Sequence, residues 1–406
     1  MSHVIFPNIH IGQRSITPGG RTKEKIEPIE GTNLGIRVKR AVSRAREGDA
    51  EAQLILGQLY LQGKGLRRNV RTGIKWLTSS AGQGNALAML VLGNHYRAAG
   101  DREQAHAWTI RSAEAGNADA QMQVGFDYHN GYFVEKDDRV SEEWLSKSAG
   151  QGNAEALAYL GNLHMTSDDV RDEERGMSEL REASDRGSGR ASFFLGMMYQ
   201  GYHDVEDNAF MSYRMIRRAS DQGDPDGMLY YGMMLMEGTA YVEEDREAGF
   251  ELYTRAYDAG CADAATYIGT SYLFGIGTSE DRRKALTYLK KGVDRNSVVA
   301  MINLAVMYAN GMGVRRDDRE AASLYRRAAD LGSPKAMSNL GVMYATGRGV
   351  PKDPERAREL LNRAMDLGDE NAAGNLKALD SGATEIRSAV NDGGEEREIH
   401  PEDEVR

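Results

Sequence analysis

Residues able to do chemistry are plentiful in this sequence, but their spacing does not gather them. Eight histidines stand at His3, His10, His95, His106, His129, His164, His203 and His400. None has the i, i+4 partner of a His-Glu-x-x-His helix that would hold zinc. The pairs Gly63-Lys64-Gly65, Gly275-Ile276-Gly277, Gly311-Met312-Gly313 and Gly347-Arg348-Gly349 could be mistaken for phosphate cradles. A phosphate loop follows a strand and reads Gly-x-x-x-x-Gly-Lys-Ser/Thr, which does not occur, and each pair here lies between two helical runs, as a turn does. The one cysteine, Cys261, excludes an internal disulfide framework and a thiolate metal cluster, and agrees with a reducing compartment. Aspartate and glutamate fall mostly at helix starts and on solvent faces, where carboxylates complement the helix dipole. The sequence therefore predicts no metal, no cofactor and no catalytic residue.

Composition narrows the partners. A net charge of -10 argues against nucleic-acid binding, which needs a basic face to displace counterions. No apolar run approaches the roughly 18 residues that span a bilayer, so no membrane insertion is expected. The start of the chain lacks a basic stretch, an apolar stretch and a small-residue cleavage site in succession. A cytoplasmic location is expected. The basic segment 1–33 and the segment 381–406, with eight acidic against three basic residues, are expected to be disordered. The acidic tail reads as a regulatory arm, a shield for a basic groove or a solubilising terminus.

The elements between these ends repeat. The pattern Ala-x-x-x-Leu-Gly-x-x-Tyr recurs with its glycine at Gly57, Gly93, Gly125, Gly161, Gly196, Gly232, Gly269 and Gly341, and with Ala305 in its place once. The spacings run 36, 32, 36, 35, 36, 37, 36 and 36 residues, which gives nine units. Five residues before this anchor only alanine or glycine stands, from Ala52 to Ala336, as close helix approach requires. The residue before the anchor is always apolar, and the third after it is tyrosine except at His164 and Leu235. An i, i+4, i+8 stripe results, the core face of a first helix, A.

A glycine turn follows most A helices. Asn69, Asp138, Asp245, Asp281, Asp318 or Asp353 then reads as the N-cap of a second helix, B. Helix B carries Trp76, Trp108, Trp144, Tyr288, Leu324 or Leu360 at one position, which is expected to close the apolar layer. It stops at a glycine, from Gly48 to Gly368, or at Asn296, residues that tolerate a left-handed conformation. The next residue, Asp, Asn or Ser, caps the following A helix, and only Cys261 breaks that series. The second unit lacks its glycine turn, and the fourth replaces it with the acidic stretch 166–174, so the local twist is expected to change there.

These residues resemble the Sel1-like repeat, a relative of the tetratricopeptide repeat. The clearest units are AMINLAVMYANGMGVRRDDREAASLYRRAADLG and AMSNLGVMYATGRGVPKDPERARELLNRAMDLG. The resemblance implies an all-α fold, a right-handed α/α superhelical solenoid of nine helix-turn-helix repeats over 34–380, with Leu34 to Glu47 and Asn371 to Leu379 as capping helices. It also implies a scaffold or adaptor that binds peptide or helical segments of other proteins on its concave face, with oligomeric state open. Some members resemble β-lactamase-type factors, which raises a hydrolase as an alternative, but neither Ser-x-x-Lys nor a cysteine pair per repeat occurs. An envelope or secretion-associated assembly factor is a second alternative.

By the same resemblance, the positions two before and one after the anchor point into the groove. The candidates are Asn94, Phe126, Tyr159, Asn162, Phe194, Met197, Tyr230, Met233, Tyr267, Asn303 and Asn339. Aromatics and methionine in the middle suit an adaptable apolar recognition surface flanked by amides. They suit equally a packing layer between neighbouring A helices.

Overall fold

The computed structural model describes residues 33–201 and 208–381. The terminal segments for which the sequence predicts disorder lie outside the described residues, apart from Asn33 and Ser381. Among the described residues there are twenty helices and no strand beyond an isolated bridge between Thr239 and Val242. Helix α1 is Asn33–Arg46, and nine A/B pairs follow it. They are α2 and α3 (Ala50–Gln62, Val70–Ala81), α4 and α5 (Ala86–Ala98, Arg102–Glu114), α6 and α7 (Ala118–Asn130, Asp138–Gly150), α8 and α9 (Ala154–Thr166, Glu173–Asp185) and α10 and α11 (Gly189–Met198, Ala209–Asp221). Then come α12 and α13 (Pro225–Glu237, Arg246–Asp258), α14 and α15 (Ala264–Phe274, Arg282–Asp294), α16 and α17 (Val298–Asn310, Asp318–Asp330), α18 and α19 (Pro334–Thr346, Pro354–Asp366) and the lone α20 (Glu370–Asp380). The chain divides into two compact units after Gln222. Within each unit every helix packs on the next, the arrangement of an α-solenoid.

Each helix begins where the sequence stops the one before it. Gly48, Gly84, Gly116, Gly152, Gly187, Gly223, Gly260, Gly332 and Gly368 have φ between 88° and 108°, and Asn296 replaces glycine at 61°. Asn is the residue other than glycine that bears this conformation most cheaply. Asp369 accepts a hydrogen bond from the Asn371 N–H, two residues on, at 3.1 Å, and the other Asp, Asn or Ser residues that follow these stops accept from the N–H three residues on, as Asn85 does from Ala88 at 3.0 Å and Asp224 from Gly227 at 2.7 Å. That donor is the small-residue column itself. Cys261 cannot accept in this way, and α14 starts later, at Ala264, with no side-chain cap.

The anchor glycine marks the point where helices A and B of one repeat touch. A Cβ on Gly125 would come within 2.7 Å of Leu145 Cγ, and one on Gly196 within 2.6 Å of Ile216 Cδ1. Leu77, Leu145, Leu180, Ile216, Leu289 and Leu361 are the knobs that fill these notches, and all are fully buried. Such burial stabilises by about 2 kcal/mol per side chain. This corrects the expectation for helix B. Its closing column lies one residue after the tryptophans, which are themselves half-buried at the edge of the core.

A second correction concerns two caps. The N-cap residues of α7 and α17 are Asp137 and Asp317, not Asp138 and Asp318. In all nine repeats the cap N–H of helix B donates to the helix A carbonyl at the tyrosine position, from Asn69 to Tyr60 at 3.0 Å through Asp353 to Tyr344 at 2.9 Å. In Asp-Asp sequences this bond selects the first aspartate as the cap.

Candidate interaction face

Positions two before and one after the anchor are three residues apart on helix A and share one face. In the N-terminal unit that face brings aromatic side chains together across repeats. The ring of Phe126 in α6 lies 5.4 Å from that of Tyr159 in α8, and Tyr159 lies 6.0 Å from Phe194 in α10, both edge to face. This is the separation and tilt that aromatic quadrupoles favour. Tyr159, Asn162, Phe194 and Met197 are half-buried, whereas Phe126 is only 7% exposed. At one end of the face stands Asn94, exposed, which accepts from the Gln123 amide at 3.2 Å.

In the C-terminal unit the same positions make contacts between helices. Tyr230, Met233 and Tyr267 are half-buried, and Tyr267 meets Tyr253 of α13 at 5.4 Å. Asn303 Nδ2 donates to Thr270 Oγ1 at 2.9 Å, so one repeat's position after the anchor bonds the next repeat's position before it. Asn339 is 3% exposed. The sequence candidates thus form an aromatic ladder in one unit and, in the other, inter-helix contacts that end at the buried Asn339.

Sequence reasoning did not find the charged groups beside this face. Asp127 of α6, completely buried, is held by Arg97 of α4 through Nη1–Oδ1 at 2.9 Å and Nη2–Oδ2 at 2.5 Å. Burial pushes its carboxyl above the usual range, and the guanidinium pulls against that shift. Arg97 also lies 4.6 Å over the ring of Phe133, a non-glycine residue at φ 64°. His164, which takes the tyrosine position in the fourth repeat, is 1% exposed and bonds Glu179 at 2.7 Å and Glu142 at 3.1 Å. Arg175 ties both carboxylates from outside. Burial depresses the imidazole pKa, but the two carboxylates outweigh it and hold the value above the ordinary one. Asp138, buried at the start of α7, accepts from Ser167 at 2.6 Å and bonds His129 Nδ1 at 2.8 Å. Burial alone would raise its pKa, and these partners lower it. The Ser167 hydroxyl donates to the Asp138 carboxylate and not to the His129 imidazole, so the three do not form a Ser-His-Asp relay. Among the described residues, no group of three or more His, Cys, Asp or Glu could hold a metal ion, and no helix is long and apolar enough to cross a membrane.

A family model for the Sel1 repeat matches eight stretches, 50–85, 86–117, 118–153, 189–224, 225–261, 262–297, 298–333 and 334–369. The chain belongs to the Sel1 repeat family. The unmatched stretch between 153 and 189 is the α8/α9 pair, whose histidine and acidic turn depart from the pattern. A protective antigen of uropathogenic Escherichia coli strains with an SLR fold is similar, at 26% identity over 86% of this chain and 75% of that one, with a TM-score of 0.56. A Sel1 repeat protein from Oxalobacter formigenes is also 26% identical, over 90% of this chain and 98% of that one, with a TM-score of 0.47. No curated protein matches the chain. Sel1 repeat proteins are generally protein-interaction scaffolds, and nothing in the geometry favours hydrolase chemistry.

Proposed function

We propose that this chain is a cytoplasmic scaffold or adaptor that holds a peptide or helical segment of a partner protein on the A-helix face. The observation that carries the reading is the ladder Phe126, Tyr159 and Phe194, with its rings 5.4 and 6.0 Å apart and its last two members half-open to solvent. One aromatic side chain per repeat matches what an elongated partner presents, side chains at regular intervals along its length. Rigid rings offer contact area at small entropic cost, and Met197 and Asn162 add an adaptable and a hydrogen-bonding neighbour. Asn94 belongs to this face as a supporting position, and Tyr230, Met233, Tyr267, Asn303 and Asn339 are the equivalent positions of the C-terminal unit. A single buried thiol, Cys261, suits the reducing cytoplasm.

The test is proximity labelling with mass spectrometry, comparing the natural chain with Tyr159→Ser/Phe194→Ser. Loss of a discrete set of labelled proteins at an unchanged melting temperature supports the reading. An unchanged set, or loss of partners only together with unfolding, removes it. Cell fractionation checks the location, and recovery from an envelope or secreted fraction would overturn that part.

A further inference from the structure

The C-terminal unit has a cleft of about 820 Å³ on its helix B side. Leu286 and Lys290 of α15, Tyr308 at the end of α16, and the turn from Val314 to Arg319 that enters α17 line it. Its floor is apolar: Leu286, Tyr308 and Val314 are half-buried and packed against the core.

The acidic groups in the cleft are already committed. Asp317 Oδ1 accepts from the N–H groups of Arg319 and Glu320 at 3.0 and 3.1 Å. Asp318 is paired with Arg316 and Arg348, each at 2.8 Å. Lys290, Arg315 and Arg319, by contrast, are exposed, and none makes an ion pair among the described residues. Three uncommitted cations therefore surround one apolar floor in a protein whose net charge is -10. They are not a general property of the repeat. At the positions of Arg315 and Arg319, the next repeat has Pro351 and Glu355 and the preceding one has Ser279 and Arg283. The counterpart of Lys290 in α17, Arg326, donates to the Tyr344 hydroxyl at 3.2 Å.

We propose that this cleft docks an acidic peptide segment of a partner protein, its carboxylates pairing with Lys290, Arg315 and Arg319 around an apolar or aromatic side chain set against Leu286 and Tyr308. Guanidinium groups favour carboxylates in two-pronged, charge-assisted bonds. A nucleic acid would need a longer basic track for its regularly spaced phosphates. None of these residues is on the A-helix face, so this site stands whether or not that face binds.

Fluorescence anisotropy on the full chain tests it, with a fluorescein-labelled peptide of five glutamates around one tyrosine and the glutamine version of the same peptide. The glutamate peptide is expected to bind and to weaken about tenfold between low and high salt, while the glutamine peptide does not bind. Arg315→Glu/Arg319→Glu is expected to lose at least about tenfold in affinity, and Arg315→Gln/Arg319→Gln, which avoids reversed charge should that variant unfold, somewhat less. Tyr159→Ser/Phe194→Ser should bind the peptide as the natural chain does, which separates this site from the scaffold face. Equal binding of both peptides, or undiminished binding by the glutamine variant, would overturn the proposal. So would tighter binding of a labelled oligothymidylate that competes with the peptide.

Discussion

The repeats at 262–369 and those at 86–188 follow the same plan but seat their turns differently. In the C-terminal stretch the second glycine of each turn lies directly against the start of the preceding B helix. A Cβ on Gly277, Gly313 or Gly349 would overlap the backbone or Cβ of Arg246, Arg282 or Asp318. In the third repeat the corresponding position is Phe133, with the same left-handed backbone but a full aromatic side chain. The preceding repeat is the one four residues short, and the ring lies under Arg97. The cores differ in the same sense. From Leu273 to Ala372 the buried apolar side chains form one cluster with no buried charged group among them, whereas the earlier repeats carry the buried groups Asp127, Asp138 and His164. A shortened or altered turn exchanges close backbone packing for specific polar contacts.

Substitutions can break this contrast. The largest effect is expected from Gly349→Ala, which adds a clash with the Asp318 carbonyl to a strained φ and should cost about 3 kcal/mol or more. Phe133→Gly should be much milder, since relief of a left-handed residue, worth about 1 kcal/mol, offsets the lost contact with Arg97. Chemical denaturation of the two variants compares them directly, and equal losses would show that the two turns do the same job. Arg97→Ala should destabilise by about 3 kcal/mol because it leaves Asp127 buried and unpaired. Adding Asp127→Asn should restore a good part of that, and hydrogen exchange over α4 to α7 would read it locally.

The third test is pH. The folded pKa of His164 is raised, so its contribution is fully present below the unfolded value of about 6.5 and is lost as pH rises through the folded value. Melting temperatures of the natural chain and His164→Gln should therefore converge as pH rises above about 6.5. A constant gap would place the histidine's role in packing alone. The smallest effect is expected at the uncapped start of α14. Cys261→Ser supplies the cap that the other repeats have and should add up to about 1 kcal/mol, seen as a small rise in melting temperature.

The sequence reveals best what is periodic. The anchor column, the small residues before it and the stop-start junction from Gly48 to Asp369 are all in register, and the structure assigns each the role its residue type demands. Size misleads in helix B, where Trp76, Trp108 and Trp144 draw attention from the smaller knobs next to them, since a notch under a glycine admits Leu77 or Leu145 but no indole. Adjacent aspartates hide the true caps at Asp137 and Asp317, because either could accept from the helix N-terminus and only the bond to the helix A carbonyl decides. The pairing of Arg97 with Asp127 is invisible to columns read within one repeat, being made between non-equivalent positions of two. For the A-helix face, spacing identifies which residues share a side, but depth of burial separates Tyr159 and Phe194 from Asn339.

The bond from each helix B cap to the helix A carbonyl closes every repeat on itself before its neighbour is reached. An array made of such links can lengthen or shorten by tandem duplication of whole 36-residue units without a frayed joint. Pulled from its ends, it should yield in steps, each releasing roughly 120 Å of chain. The sequence is thus written as a chain of latches, and its mechanical increment is the same as its hereditary one.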